Sequence, residues 1–427
     1  MYHQLSLGST YYLILELVIK NNPLPTHSSA FSEPLFRRYF PASCFATLGG
    51  WIIRFLLGWS SWELTHSAFW VGIVAGVMLL PTFLFSPLFG IVSDRINPRN
   101  GLMLSVFSQG VIAALACVTS AFEMLSLGVL IGFATLLGII TSAHTPIRLA
   151  LIPRLVPRQA LPSAIGYGAM LFNSSRVIGP AVGAWLVAGF SQTAAFFVAS
   201  CLCFLAMPIL FSIKGINGKS REREASFLNE LKAGFIYTAS HPLIRMILAL
   251  TLLNGILGRT LLELLPALSG QLLNGSAQTL AILSAIAGTG SIMAGLFVSR
   301  QSGDENKLFR LVYFCLVTAS LSLFIIQWLS GLYQLCALIF TLSMLTTIAG
   351  TGGQALTQLM VDDSYRGRVM SLWSMLSLGS PAIGAIAIGA LAQSWGFPLT
   401  SAVVGIIALV LLAILRRLSK EAPPTSN

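Results

Sequence analysis

The sequence predicts an all-α integral membrane protein, with twelve transmembrane helices in two pseudo-symmetric six-helix bundles around a central cavity. Three observations predict it. Of the 427 residues, 55% are hydrophobic and 9% are charged, and the mean hydropathy of +0.82 exceeds what a water-soluble core and surface average to. The apolar runs are about 20 residues or slightly longer. At about 1.5 Å of rise per residue, each spans the roughly 30 Å hydrocarbon core as a helix, whereas a barrel strand needs half that length. Finally, short segments of the first half recur about 205 residues later, the mark of a duplicated bundle.

In chain order, residues 1–35 form an N-terminal arm. Its apolar patch YYLILELVI is interrupted by Glu16 and lacks a basic start or a small-residue cleavage site, so it reads as an interfacial or disordered arm rather than a signal peptide. Residues 36–213 form the first bundle, with runs near 39–60, 68–93, 101–121, 124–146, 162–189 and 193–213. Residues 214–241 are the most polar interior stretch and read as a cytoplasmic linker with an amphipathic helix after Ser226. Residues 242–417 form the second bundle, with runs near 242–265, 277–299, 308–328, 332–356, 369–391 and 397–416, followed by a tail at 418–427.

The net charge of +11 admits a nucleic-acid partner, but the placement of the basic residues excludes it. With both termini cytoplasmic, 22 of the 25 basic residues fall in the arm, the inner loops, the linker and the tail, and none falls in an outer loop. That asymmetry is what membrane insertion demands of short loops. The other three, Arg54, Arg176 and Arg259, lie within the apolar runs. All six cysteines also lie in apolar runs, so they form neither a disulfide framework nor a metal-ligand spacing.

The repeat is visible in particular residues. Gly90-Ile-Val-Ser-Asp94-Arg95 after the second run matches Gly295-Leu-Phe-Val-Ser299-Arg300 after the eighth. Gly179-Pro180-Ala-Val-Gly183-Ala184 in the fifth run matches Ser380-Pro381-Ala-Ile-Gly384-Ala385 in the eleventh, and Gly50-Trp-Ile-Ile-Arg54 matches Gly255-Ile-Leu-Gly-Arg259. Arg54 therefore has a counterpart in the second half.

With these residues in place, the chain over 35–417 resembles the major facilitator superfamily. GIVSDRINPRN is similar to its signature G-x-x-x-D-R-x-G-x-[KR] through Gly90, Asp94, Arg95 and Arg99, with Asn97 where the pattern has Gly. Asn tolerates a left-handed turn, so the loop is expected to keep its shape. The resemblance implies that these residues latch the two bundles on the cytoplasmic side. GPAVGA is similar to a motif of exporting members. IPRLVPRQALPSA, Asn173, Arg176 and YRGRVMSLWSM resemble the branch that holds macrolide efflux pumps and the enterobactin exporter.

The remaining features narrow the chemistry. Pro180 and Pro381 each remove a helix hydrogen bond beside small residues, which makes Gly179, Pro180 and Pro381 either hinges or packing faces. Lys219-Ser220 follows Gly218, but Ile213 stands where a phosphate loop begins with Gly and no strand precedes it. No nucleotide site, cofactor, metal site or nucleophile–base constellation is visible, so a primary pump and a membrane enzyme are excluded. A non-transporting sensor fits poorly with the duplicated bundles. A secondary transporter remains.

Arg54 and Arg259 lie about 14 to 17 residues into their runs, past the bilayer midplane, and Arg176 lies at similar depth. A lipid-facing arginine there costs at least about 3 kcal/mol, so all three should face the interior. Glu263 stands four residues after Arg259 on the expected helical face. Arg54 has Gly50 and Gly58 at the equivalent positions, hence no partner on its own helix. Guanidinium forks match carboxylates and catecholates in bidentate fashion. The expected site is thus Arg54, Arg259, Arg176, Trp51 and Asn173 for an anionic substrate, with Phe55, Trp59, Phe172 and Trp373 as possible apolar walls. Glu263 is the candidate proton-coupling group, with a static salt bridge to Arg259 as the alternative. The function expected is proton-driven export of a siderophore-type anion across a bacterial inner membrane, with multidrug or macrolide efflux as the alternative.

Overall fold

A computed structural model describes residues 29–213, 227–299, 305–329, 331–362 and 365–421, and no strand occurs among them. The helices are α1 (Pro34–Thr65), α2 (Ala68–Arg95), α3 (Pro98–Ala121), α4 (Leu127–Leu151), α5 (Leu161–Gly189), α6 (Gln192–Ser212) and α7 (Phe227–Ser240). Then follow α8 (Pro242–Leu253), a π-helical turn over Asn254–Arg259, α9 (Thr260–Glu263), α10 (Leu265–Leu273), α11 (Ala277–Ser299), α12 (Glu305–Ser322), α13 (Leu332–Met360) and α14 (Arg366–Glu421).

Among the described residues, ten helical stretches are long and apolar enough to cross a membrane by length and composition. The expected twelve runs appear differently in two places. The stretch Arg368–Arg417 is 50 residues long, about 75 Å as a helix and so more than two bilayer cores. It is broken at Gly396, whose φ of 74° and ψ of 161° only glycine adopts without strain. The fifth run is the helix α5, which is not among the ten. The seventh run is a helix over Pro242–Glu263 that carries a π turn at Asn254–Arg259 and stops at the non-helical Leu264 (φ −92°, ψ 8°), followed by Pro266.

Capping residues explain several boundaries. Ser126 and Ser191 accept hydrogen bonds from Val129 N and Ala194 N and start α4 and α6, which satisfies otherwise orphaned amides. Asn97 does the same for α3, accepting from Arg99 N at 3.0 Å with φ −68°. The left-handed turn expected at Asn97 is therefore absent, since the side chain caps instead. The helix expected after Ser226 begins at Phe227, and its Tyr237 donates to Asp362 at 3.0 Å and stacks on Tyr365. Burial raises the Tyr237 phenol above its usual range.

Helices pack in two sets, with small residues at the crossings. In the first, α1 packs on α5 and α6, α2 on α4, and α3 on α4 and α6. Ser200 donates to the Gly110 carbonyl at 3.0 Å there. In the second, α13 packs on α11 and α12, and α14 packs on α8, the π turn and α12. Two seams join the sets. Gly72 and Gly76 of α2 face Ala385, Ala382 and Ile386 of α14, and Gly288 of α11 abuts Val177 of α5. Away from the linker, the end is closed by Ser67 Oγ and Ala68 N, which both donate to Gln393 Oε1 at 2.9 Å, and by Trp62 lying on Gly270.

The Gly–Pro segments act as packing faces. Gly179 and Gly183 receive Trp51 and Phe55 of α1, and Gly384 lies on the Ile256 carbonyl, while both helices continue through Pro180 and Pro381. A methyl at Gly72 collides with the Ala385 carbonyl oxygen, whereas one at Gly132 meets nothing within 4 Å. Gly72→Ala should therefore destabilise the detergent-solubilised protein by about 1–3 kcal/mol. Gly132→Ala should not, and thermal unfolding distinguishes the two.

Candidate functional site

The two sets of helices enclose a cavity of about 140 Å³ lined by α1, α2, α5, the segment from Arg259 to Pro266, α11 and α13. Arg54, Arg176, Arg259 and Glu263 all border it, as do Trp51 and Phe55. The three arginines that the sequence singles out thus share one chamber, and Arg54 and Arg259 contribute from opposite halves. The chamber wall toward Gln393 is made by Gly58 against Pro266, whose side chain lies 3.6 Å from where a Cβ on Gly58 would sit.

Arg54 is held from two sides. Its Nη2 donates to Glu263 Oε2 at 2.7 Å, an ion pair whose side chains are 22% and 18% exposed. Its guanidinium also lies 5.7 Å from the Trp51 ring centroid, within cation–π range. Trp51 is itself wedged between Gly179 and the ring of Phe172, 5.5 Å away edge to face.

The expected Arg259–Glu263 bridge is not what forms. Arg259 and Glu263 keep their four-residue spacing on helical backbone, Arg259 leading into α9 with φ −71° and ψ −30°, which brings the two side chains near each other but does not decide which cation the carboxylate bonds. The carboxylate stays an electrostatic neighbour of Arg259 and Arg176, but its hydrogen bond goes to Arg54 across the two halves. Neither Arg176 nor Arg259 has a hydrogen-bond or ion-pair partner among the described residues. Three guanidiniums and one carboxylate leave the chamber with a formal surplus of two positive charges.

Other expected residues fall elsewhere. Asn173 is exposed and donates back to the Ala169 carbonyl at 2.9 Å, so it neither lines the chamber nor touches Arg176. Trp59 is buried outside the lining, and Trp373 is also absent from it. Arg99 donates to the carbonyls of Leu210 and Phe211 at 3.0 and 2.6 Å, which ends α6 with a cation where the helix dipole favours one. This ties α3 to α6 within one half rather than linking the halves. The side chains of Gly90, Asp94 and Arg95 lie outside the described residues, as do Lys219 and Ser220.

The sequence reading missed a set of hydroxyls on the chamber wall. Ser284, Ser291 and Ser343 border the chamber. Ser291 lies 2.8 Å from Ser343 Oγ and 3.1 Å from Thr347 Oγ1, and Ser343 donates to the Ala287 carbonyl. No sequence signal marks these residues, because a serine in an apolar helix usually bonds its own backbone. Among the described residues, no group of three or more His, Cys, Asp or Glu could hold a metal.

Removing one partner of a partly buried ion pair strands the other's charge. Glu263→Gln raises the surplus from two to three and should lower stability by about 1–3 kcal/mol. The Arg54→Gln/Glu263→Gln double variant should lose less than Glu263→Gln alone. Thermal unfolding of both variants beside the unaltered protein checks that order.

The model of a family described as transmembrane secretion effector matches residues 26–425. The staphyloferrin A transporter of Staphylococcus aureus is 27% identical over 408 residues, covering 91% of this chain and 98% of that protein. The enterobactin exporter EntS of Escherichia coli O1:K1 is 25% identical over 414 residues, covering 92% and 95%. Among solved structures, the nucleoside transporter NupG superposes with a TM-score of 0.69 at 14% identity, covering 91% of this chain and all of that one. A bacterial homolog of the human lysosomal transporter Spinster, in an inward-facing and unoccupied conformation, gives 0.69 at 13%, covering 90% and 96%. At those identities the structures show the fold alone. The chain belongs to the transmembrane secretion effector family of major facilitator transporters, a multi-pass membrane transporter and not an enzyme.

Proposed function

We propose that this protein is a proton-driven secondary exporter of a small anionic molecule of siderophore type, working by alternating access across a bacterial inner membrane. Its twelve spans divide at Gly396 and include α5. Residues 36–213 and 242–417 form its two bundles, the linker 214–241 joins them, and both termini are cytoplasmic. The observation that carries the reading is that, among the described residues, Arg176 and Arg259 border the chamber without a hydrogen-bond or ion-pair partner while the one acid lining it is engaged by Arg54.

A surplus of two positive charges decides the sign of the cargo. Two unit charges 4 Å apart interact by about 4 kcal/mol at an effective dielectric of about 20. Each carboxylate of a cargo therefore gains, and each ammonium of a cationic drug loses, an amount that apolar contact with Trp51 and Phe55 does not reverse. The carboxylate of the cargo would compete with Glu263 for Arg54, and the Arg54–Glu263 pair holds the halves together when no cargo is bound. Export against inward proton flow requires that Glu263 take up its proton after the cargo has left rather than together with it. The names of the two siderophore-transporting relatives support the cargo class.

A strain lacking the gene, grown in iron-poor medium, should retain its chelator in the cells, and assay of the supernatant measures this. Normal secretion together with new macrolide sensitivity would instead favour drug efflux. Arg259→Gln and Arg176→Gln should each weaken cargo binding by about 1–3 kcal/mol, roughly ten- to a hundredfold, with expression unchanged. Binding by purified protein at fixed salt reads this directly.

A further inference from the structure

A second ionisable group is buried away from the arginine chamber. His144 lies on α4, seven residues before the helix ends at Leu151. Its Nδ1 is 2.8 Å from Ser105 Oγ and 3.5 Å from Gln109 Nε2, both on α3 and both buried. The ring also borders a second, small cavity of about 10 Å³, walled by Tyr39, Ser43 and Thr47 of α1, Arg148 of α4, and apolar residues including Leu102, Val106 and Leu210. That is close to the volume one water needs, and the wall offers the polar partners a water requires.

We infer that the His144–Ser105–Gln109 pocket is a proton-binding site of the transport cycle, separate from the Arg54–Glu263 pair. An intramembrane ionisable side chain is costly and survives where it has work. His144 serves no ion pair among the described residues, so structural pairing does not account for it. Its partners suit a group that changes charge, because a hydroxyl and a carboxamide each donate or accept. With the neutral ring, Ser105 donates to Nδ1 and Nε2 carries the hydrogen. On protonation, a water in the cavity relays a proton received from the aqueous side to the Nδ1 lone pair and is left neutral, Ser105 turns to accept, and the carboxamide of Gln109 can present its oxygen. The proton later leaves by the same water-sized space. Among the described residues facing the ring, the titratable or charged groups are Tyr39 of α1 and Arg148 of α4. α3 contributes no titratable or charged group, only Ser105, Gln109 and the apolar Leu102 and Val106, and α6 contributes Leu210. No carboxylate holds the added charge in place, and Arg148 opposes it, so the proton is releasable.

The pocket also touches the arginine chamber mechanically. Gln109 Oε1 lies 2.9 Å from where a Cβ on Gly50 would sit, and Gly50 is one helical turn before Arg54. Reorientation of the Gln109 carboxamide on protonation of His144 therefore presses on the turn of α1 that carries the cargo-binding arginine.

This inference rests on the proton-driven reading above, and the test separates the two. The full-length chain is reconstituted in vesicles that contain a pH-sensitive dye, and staphyloferrin A is added as the probe. Binding is followed in parallel by quenching of tryptophan fluorescence, to which Trp51 contributes. His144→Gln should bind the probe as the wild type does but lose the proton flux. Ser105→Ala keeps the ring and removes its partner, so it should shift the pH at which flux is half maximal; this second variant covers a His144→Gln that fails to fold. Undiminished flux in His144→Gln, or an unshifted profile in Ser105→Ala, overturns the site while the exporter reading stands. Probe binding without any proton flux in the wild type overturns both this site and proton coupling, leaving anion binding intact.

Discussion

The structure depends on one charge contact, the Arg54–Glu263 ion pair that joins α1 to the end of α9. It is the point at which the two halves share a charge rather than only shape. Other contacts between the halves are the hydrogen bonds of Ser67 and Ala68 to Gln393 and close approaches of small residues, as at Gly72 on Ala385 and Gly288 on Val177. Such seams fit or fail to fit as rigid surfaces and carry no chemical signal. The ion pair is different because an anion or a proton can take the place of either partner.

Why a single acid should sit among three guanidiniums follows from cost. Three unpaired arginines in a low-dielectric chamber repel one another, and one fixed carboxylate lowers that repulsion while leaving room for a ligand. Full neutralisation would remove the reason for an anion to enter. The chamber is thus held short of balance by two charges, with hydroxyls on α11 and α13 and the Trp51 and Phe55 rings completing its walls.

Much of this is legible in the sequence because membrane helices report cost so clearly. An arginine inside an apolar run has to face the interior, and the duplication makes Arg54 and Arg259 counterparts. Their meeting at one chamber therefore needs only helix length and repeat offset. What the sequence hides is which of several available roles or partners wins. Glu263 bonds Arg54 rather than Arg259 because Arg54 reaches it from the other half, and spacing along one helix does not report a contact between helices. Asn97 is misjudged for a related reason, since Asn serves equally as a left-handed residue and as a cap, and only φ distinguishes them. His144 goes unnoticed because a lone histidine in an apolar run carries no spacing signal. Its meaning comes from Ser105 and Gln109 on another helix.

The claim on which the account turns is that the unbalanced positive charge of the chamber selects anions. Calorimetric titration of the purified full-length chain with a free polycarboxylate and with its methyl ester tests this most directly. The account predicts that the acid binds, that the ester does not, and that the acid's affinity falls as salt rises. Equal binding of acid and ester, insensitive to salt, would contradict it.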